Sequence, residues 1–327
     1  MTKIMRWGLL STARINQTLI PPIRAARGSQ LLAVASRDEA RAKAYAAEWN
    51  IPRAYGSYEA LLADPDIDIL YNPLPNHLHA EWSLRAAQAG KHVLCEKPLG
   101  LSIQEVDQLI QAAIVYKVVI ADAFIYRHHP LTDQVLQRVA GGAIGEVCHM
   151  YGIFTFRLDR PTDIRWLPEY GGGSLWDVGC YPVSYIRMVM GANPVEVSGW
   201  ADLAPTGVDL SFSGNLRFAS GATAQIYSSF GSPYSARIEI HGSRGSLVSD
   251  SPFRPAKKQP WLLVQDGKVE KVSSPMPMHA LGEVEDVLCA ARGERPQRLP
   301  LAESRDNIQT LSALYESARQ GKKIGLS

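Results

Sequence analysis

The run Gly90-Lys91-His92-Val93-Leu94-Cys95-Glu96-Lys97-Pro98-Leu99 decides how this chain is read. An apolar run after a glycine reads as a short strand, and the proline stops it. Pro98 has a fixed φ and no N–H, and it biases Lys97 toward extended backbone. A lysine held rigidly at a strand end differs from a solvated surface lysine. In a nucleotide-binding α/β sheet, ligands collect at such ends. Taken alone, Glu96-Lys97-Pro98 also reads as a plain strand-to-turn junction with an exposed lysine. The flanking sequence selects between the two.

Residues 4–125 alternate short apolar runs with helical stretches. Strands are expected at 4–10, 31–35, 67–71, just before Lys97, and at 118–121. Helices are expected at 14–27, 39–49, 58–63, 78–89 and 103–116, with Pro21-Pro22 kinking or delaying the first. Such alternation predicts a mostly parallel, doubly wound sheet with right-handed crossovers. After residue 125 the pattern changes. Strand-like stretches at 146–158, 195–201, 208–218, 222–230 and 236–241 resemble one antiparallel meander with an open face. Helices are expected at 131–140, 174–190 and 303–319. The expectation is an α/β chain of two parts. Residues 1–125 form a Rossmann dinucleotide-binding domain. Residues 126–327 form an α+β domain for substrate binding and oligomerisation, with an open-faced, mainly antiparallel sheet.

Bulk properties agree. A length of 327 residues suits two cores, and 46% hydrophobic with 20% charged residues is ordinary for a globular chain. A net charge of +2 gives no strong attraction to nucleic acid or anionic membrane. No apolar run has membrane-spanning length. The N-terminus runs into a strand pattern with no export signal. Cys95, Cys148, Cys180 and Cys289 are far apart, with no zinc spacing, so free thiols and a cytoplasmic location are expected.

After the first strand comes Ser11-Thr12-Ala13-Arg14-Ile15-Asn16. A dinucleotide fold puts a G-x-G-x-x-G turn here, and Ser11, Ala13 and Asn16 occupy its glycine positions. Ser and Ala are small enough for main-chain N–H groups to approach a pyrophosphate at a helix N-terminus. Asn16 is the harder departure. A plain Ser/Thr cap is the competing reading. The second strand ends Ala35-Ser36-Arg37-Asp38. A small residue followed by a cation suits a 2′-phosphate, so NADP is favoured over NAD. Asp38 is placed to cap the next helix. The third strand ends in the rigid polar loop Pro73-Leu74-Pro75-Asn76-His77-Leu78-His79, where ribose and nicotinamide would lie. The competing reading there is helix capping by Asn76 with exposed imidazoles. Expected cofactor contacts are Ser11, Thr12, Ala13, Arg14, Ile15, Ser36, Arg37, Pro73, Asn76, His79, Glu96 and Lys97.

The second unusual segment is Gly171-Gly172-Gly173-Ser174-Leu175-Trp176-Asp177-Val178-Gly179-Cys180-Tyr181-Pro182. Three glycines permit close backbone approach. Ser174 is placed to cap a helix. Asp177 and Tyr181 share a face if the helix is unbroken, which Gly179 and Pro182 put in question. A buried Tyr–Asp hydrogen bond would satisfy the pair structurally. Chemistry offers a further reading, because alcohol oxidation needs a base for the hydroxyl proton. A phenol serves only if a cation lowers its pKa, and Lys97 is a candidate cation.

These segments, in this order, resemble the glucose-fructose oxidoreductase/inositol dehydrogenase (Gfo/Idh/MocA) family. The resemblance includes the turn at 8–16, Pro75-Asn76 with His79, and Glu96-Lys97-Pro98. It extends through Tyr126-Arg127-His128-His129-Pro130, Gly171 to Tyr181, and the tail from Leu301 to Ile324. It implies a Rossmann domain with an open-faced sheet that mediates oligomers, here a homodimer or a dimer of dimers. It implies that Lys97 is the family's catalytic lysine. Tyrosine at 181, where many members carry histidine, resembles glucose-fructose oxidoreductase, NADP-dependent xylose dehydrogenases and dimeric dihydrodiol dehydrogenases. Asp177 matches their acid, and Arg165-Trp166 resembles the oxidoreductase branch. Catalytic roles are therefore expected for Lys97, Tyr181 and Asp177, with Arg165 and Trp166 joining them in binding substrate. The implied reaction is hydride transfer between nicotinamide and a secondary alcohol or hemiacetal carbon of a sugar or cyclic diol. A non-catalytic NADP-binding regulator on the same fold is the alternative. Retention of both Lys97 and Tyr181 argues against it.

Overall fold

The computed structural model describes residues 3–255, 259–275 and 278–326. The alternation in the first part gives six parallel strands: β1 (Met5–Leu10), β2 (Ser29–Ala35), β3 (Arg53–Tyr55), β4 (Ile69–Asn72), β5 (His92–Glu96) and β6 (Ile120–Ala123). Their order is β3-β2-β1-β4-β5-β6, with the reversal of direction in the order at β1 and β4. Helices α1 (Asn16–Ala25), α2 (Glu39–Glu48), α3 (Tyr58–Ala63), α4 (His79–Gln88) and α5 (Ile103–Tyr116) make the crossovers. Local chemistry fixes their starts. Asp38 accepts from the Arg41 N–H to cap α2, as expected, and Ser102 with Glu105 forms a capping box on α5. Pro21 and Pro22 lie inside α1 without ending it. Trp7, Leu9, Leu19, Ile23, Val34 and Tyr71 are buried in the core of this sheet.

The later strands are β7 (Val147–Thr155), β8 (Glu196–Leu203), β9 (Asp209–Arg217), β10 (Thr223–Ser229), β11 (Ser235–Gly242), β12 (Gly245–Ser249), β13 (Trp261–Gln265), β14 (Lys268–Val272) and β15 (Ile324–Gly325). Their order is β14-β13-β12-β11-β7-β10-β9-β8-β15. This departs from a simple meander. β7 inserts between β11 and β10 and pairs with β10 in parallel, so one pair in a mainly antiparallel sheet runs the other way. Helices α6 (Pro130–Ala140), α7 (Cys180–Met190), α8 (Leu281–Ala291) and α9 (Leu301–Gln320) complete the helices of the later part.

The chain divides into one unit of Met1–His128 with Pro277–Arg305 and another of His129–Met276 with Asp306–Ser327. A single cut at 125–126 is therefore too simple. The segment carrying α8 returns to the first unit because Val284, Val287 and Leu288 join the core of the parallel sheet.

In the second unit one sheet face is apolar. Phe212, Leu216, Ala224, Ile226 and Ile238 are buried there, and α7 and α9 lie on that side. The other face shows Ser211, Ser213, Asn215 and Arg217 on β9, and Thr223, Gln225 and Tyr227 on β10. Strand alternation turns Leu216, Ala224 and Ile226 inward, and Phe218, just past β9, is buried too.

Gly152 on β7 is where α7 meets the sheet. A Cβ there would lie 2.6 Å from Cβ of Pro182 and 3.0 Å from Cδ1 of Ile238. Gly152→Val should destabilise the fold by about 1–3 kcal/mol, the usual cost of overpacking a filled core. Urea unfolding at neutral pH measures it, and a stability equal to wild type would contradict this packing.

Candidate active site

Each unit by itself holds some of the expected residues. In the first unit, the turn after β1 adopts the glycine geometry without glycine. Ser11 has φ +118°, a conformation that L side chains rarely adopt. The Ala13 N–H donates to Ser11 Oγ at 3.2 Å, and Asn16 Nδ2 donates to the Ser11 carbonyl at 2.8 Å. Asn16 is fully buried. The large residue at the third position thus braces the turn. No side chain caps the N-terminus of α1, and the turn from Ser11 to Ile15 that leads into it is partly exposed. That arrangement fits a pyrophosphate.

Ser36 is nearly buried, and its Oγ accepts from the Asp38 N–H at 3.3 Å. Arg37 is exposed. Tyr58, at the start of α3, interacts with Arg37 and also with Arg41 on α2. Arg41 and Tyr58 were not among the expected contacts. The i, i+4 spacing of Arg37 and Arg41 was the available signal for the first. Tyr58 reaches the group only through the fold.

At the end of β4, Asn72 Nδ2 donates to the His79 carbonyl at 3.0 Å and to Ser83 Oγ at 3.1 Å. Its Oδ1 accepts from the Leu74 N–H. Pro73 is buried and Asn76 is partly exposed. His79 is 1% exposed, with Nδ1 2.7 Å from the Pro98 carbonyl and Nε2 2.6 Å from the Leu74 carbonyl. Its ring is enclosed by main chain, which differs from the cofactor contact expected of it. Lys97 follows β5 and is partly exposed. Glu96 accepts from the Tyr71 hydroxyl at 2.6 Å. Buried carboxyls of Asp122 and Glu283 lie within electrostatic reach of Glu96. Burial pushes Asp122 up to about 7 and Glu283 well above the ordinary range.

In the second unit, the triple glycine has a steric reason. A Cβ on Gly172 would stand 2.4 Å from the Arg165 carbonyl, and one on Gly173 would stand 2.1 Å from Asp209 Oδ1. Ser174 does not cap the helix. Its hydroxyl donates to Asp209 Oδ2 at 2.7 Å, and the Leu175 N–H donates to the same oxygen at 2.7 Å. Asp209 is thus the cap. The helix continues through Gly179, first as a π-helical turn over Leu175–Gly179 and then as α7. Such wider turns often mark functional sites. Arg165 Nε donates to Asp177 Oδ2 at 2.6 Å, and Asp163 holds Arg165 from the other side at 3.1 Å. Asp177, the first of these acids, raises the Arg165 pKa further. Tyr181 packs edge-on against Phe154 with ring centres 5.3 Å apart, and against Phe253 at 5.4 Å. Trp166 packs on Phe230 and donates through Nε1 to the Arg160 carbonyl at 3.0 Å. Arg165 and Asp177 are therefore joined. Trp166 is held in the neighbouring loop and aromatic cluster.

Residues 5–124 match an oxidoreductase family with an NAD-binding Rossmann fold, and residues 132–248 match the GFO/IDH/MocA C-terminal domain. The chain belongs to this family and is an oxidoreductase with a nicotinamide dinucleotide-binding domain. Its relatives include D-xylose 1-dehydrogenase (NADP(+)) 2 of Haloferax volcanii, 40% identical over 98% of this chain and 100% of that protein. Trans-1,2-dihydrobenzene-1,2-diol dehydrogenase of Xenopus tropicalis is 32% identical over 83% of this chain and 81% of its own. Among solved structures, aldose-aldose oxidoreductase from Caulobacter crescentus superposes with a TM-score of 0.91 at 25% identity, covering 99% of this chain and 100% of that one. A 3-ketoreductase from Actinomadura kijaniata, solved with NADP and TDP-benzene, gives 0.91 at 28% identity, covering 96% and 98%.

Two buried histidines make stability pH-dependent. Burial pushes His79 down to about 4 against the pull of its two carbonyls. Burial likewise pushes His128 down to about 4 against Asp286. The unfolded rings take up protons near pH 6.5, which the folded rings refuse until about pH 4. Stability should therefore fall as pH drops through this window and level off below it, by up to roughly 3 kcal/mol per ring. Urea midpoints at pH 7 and pH 4.5 test this, and His79→Asn should lose one ring's share of the difference.

Proposed function

We propose that this chain is an NADP(H)-dependent oxidoreductase acting on a secondary alcohol or hemiacetal carbon of a sugar or cyclic diol. The observation that carries the reading is the part-buried Asp177–Arg165 pair at 2.6 Å, with Asp177 in the turn that leads directly into Tyr181. It fixes an acid in the segment that presents the phenol. The likeness in sequence to a xylose dehydrogenase and a dihydrodiol dehydrogenase supports the substrate class.

The main-chain donors of Ser11 to Ile15 would hold the pyrophosphate. Ser36 and Arg37, with Arg41 and Tyr58 beside them, would hold the 2′-phosphate. Bound NADP supplies the hydride acceptor in oxidation and the donor in reduction. Tyr181 Oη takes the hydroxyl proton in oxidation and returns it in reduction. Lys97 polarises the substrate oxygen and lowers the phenol's pKa, without which the phenol is too weak an acid for the task. Asp177, held by Arg165, orients the substrate. Phe154 and Phe253 fix the plane of the phenol ring. A cytoplasmic location is consistent with four unbridged cysteines.

The reading is tested by following reduced-nicotinamide absorbance with D-xylose, other aldoses and vicinal diols, each with NADP and NAD. Lys97→Ala and Tyr181→Phe should each lower turnover by about 100- to 10,000-fold with the fold intact. Near wild-type turnover in either would remove that residue from the catalytic roles.

Cofactor choice is tested separately. Arg37→Ala should weaken NADP by about ten- to a hundredfold and leave NAD nearly unchanged, as loss of a charge-assisted hydrogen bond predicts. Equal weakening of both would show that Arg37 does not read the 2′-phosphate.

Assembly as a homodimer or dimer of dimers through the open sheet face is part of the proposal. The family resemblance supports it, together with the half-buried Tyr151, Ile153, Tyr227 and Leu262 on that face. Sedimentation velocity should find no stable active monomer at micromolar concentration. Gln225→Glu with Tyr227→Lys should lower the assembly state.

A further inference from the structure

His79 opens α4, and each of its ring nitrogens faces a main-chain carbonyl, that of Pro98 at 2.7 Å and that of Leu74 at 2.6 Å. A carbonyl only accepts, so a hydrogen bond to either one needs an N–H on the ring nitrogen that faces it. Pro98 directly follows Lys97, and Leu74 lies in the loop after β4. β4 and β5 are neighbouring parallel strands, with Asn72 opposite Cys95. The ring thus joins the loops that leave two adjacent strand ends. Beyond Pro98, Leu99 is fully buried, and Glu105 accepts from the Leu101 and Ser102 N–H groups at 2.6 and 3.2 Å. The segment that begins with Lys97 is therefore held from the α4 side by His79 and from the α5 side by Glu105.

We propose that His79 is a positioning residue for Lys97, donating Nδ1–H to the Pro98 carbonyl and so fixing the turn on which the lysine stands. The inference rests on the reading of Lys97 as catalytic. Burial outweighs both carbonyls, and the nearby charges of Lys97 and His77 act in the same direction as burial, so near neutral pH the ring carries one proton. One N–H serves one carbonyl at a time. The Nδ1–H tautomer holds the lysine turn and sets the Nε2 lone pair against the Leu74 carbonyl. The other tautomer reverses the two.

Amide side chains separate the two contacts. Asparagine places an N–H where Nδ1 stands, and glutamine places one near Nε2. With D-xylose and NADP, His79→Asn should keep kcat close to wild type. His79→Gln and His79→Leu should lower kcat by about ten- to a hundredfold, the scale expected of a misplaced catalytic group. KM for NADP in His79→Gln should stay near wild type, a split that general loosening of the fold would not give. A second measurement needs no turnover. Lysines are reductively methylated with a 13C label, and the Lys97 signal is identified by its loss in Lys97→Ala. The pH at which that signal titrates should shift in His79→Gln and hold in His79→Asn. The proposal is overturned if Asn and Gln behave alike in both measurements, or if His79→Gln leaves kcat and the Lys97 signal at wild type. Lys97→Ala tells the two failures apart. If it retains turnover, the reading of Lys97 has failed. If it abolishes turnover while His79→Gln does not lower it, this inference alone has failed.

Discussion

The carboxylate of Asp209 organises the second unit. It is buried, and burial raises its pKa, which would make it a liability without donors. Three donors converge on it: the Tyr315 hydroxyl at 2.6 Å, the Ser174 hydroxyl and the Leu175 N–H. One β-strand thus ties the last helix to the start of the π-helical turn. Gly173 is needed because any Cβ there would collide with this carboxylate. Asp177, Arg165 and Tyr181 inherit their positions from that junction.

The first unit solves its own polar problem by different means. Its strand ends carry exposed loops whose shape is set by buried amides and imidazoles rather than by glycine. Asn16 braces the turn after β1, Asn72 organises the loop after β4, and His79 connects that loop to the lysine turn. Each is a polar side chain that satisfies main-chain groups where a sheet would otherwise leave them unpaired. The buried carboxyls of Asp122 and Glu283 interact electrostatically with Glu96.

Much of this was legible because it is periodic. Five strands of the parallel sheet and the helices between them follow from apolar runs and caps, and Ser36-Arg37, Lys97 and Tyr181 stand out by their chemistry. What was missed was hidden for physical reasons. β13 and β14 form a hairpin around Asp266-Gly267, both at positive φ, which is a strong turn signal. The charged outer strand Lys268–Val272 lacks the apolar alternation that would have drawn attention to it. α8 escaped because Glu283 and Asp286 sit on its buried face and spoil the amphipathic pattern. Insertion of β7 between β10 and β11 is a long-range pairing that no local pattern encodes. Asp209 as a helix cap is equally remote, 35 residues from Ser174. His79 was read from its loop position as a ligand, because sequence does not show that its ring is walled in by carbonyls.

The turn after β1 illustrates how shape can be borrowed. Its unusual backbone at Ser11 is held by the amide of Asn16, which belongs to α1 and is anchored in the core. A glycine turn keeps its shape by having nothing to lose. This one keeps it only while the first turn of α1 stays folded. Loop and helix should therefore open as one cooperative unit rather than as a loose lip on a firm helix. In amide hydrogen exchange, Ala13 and the start of α1 would share a single opening free energy.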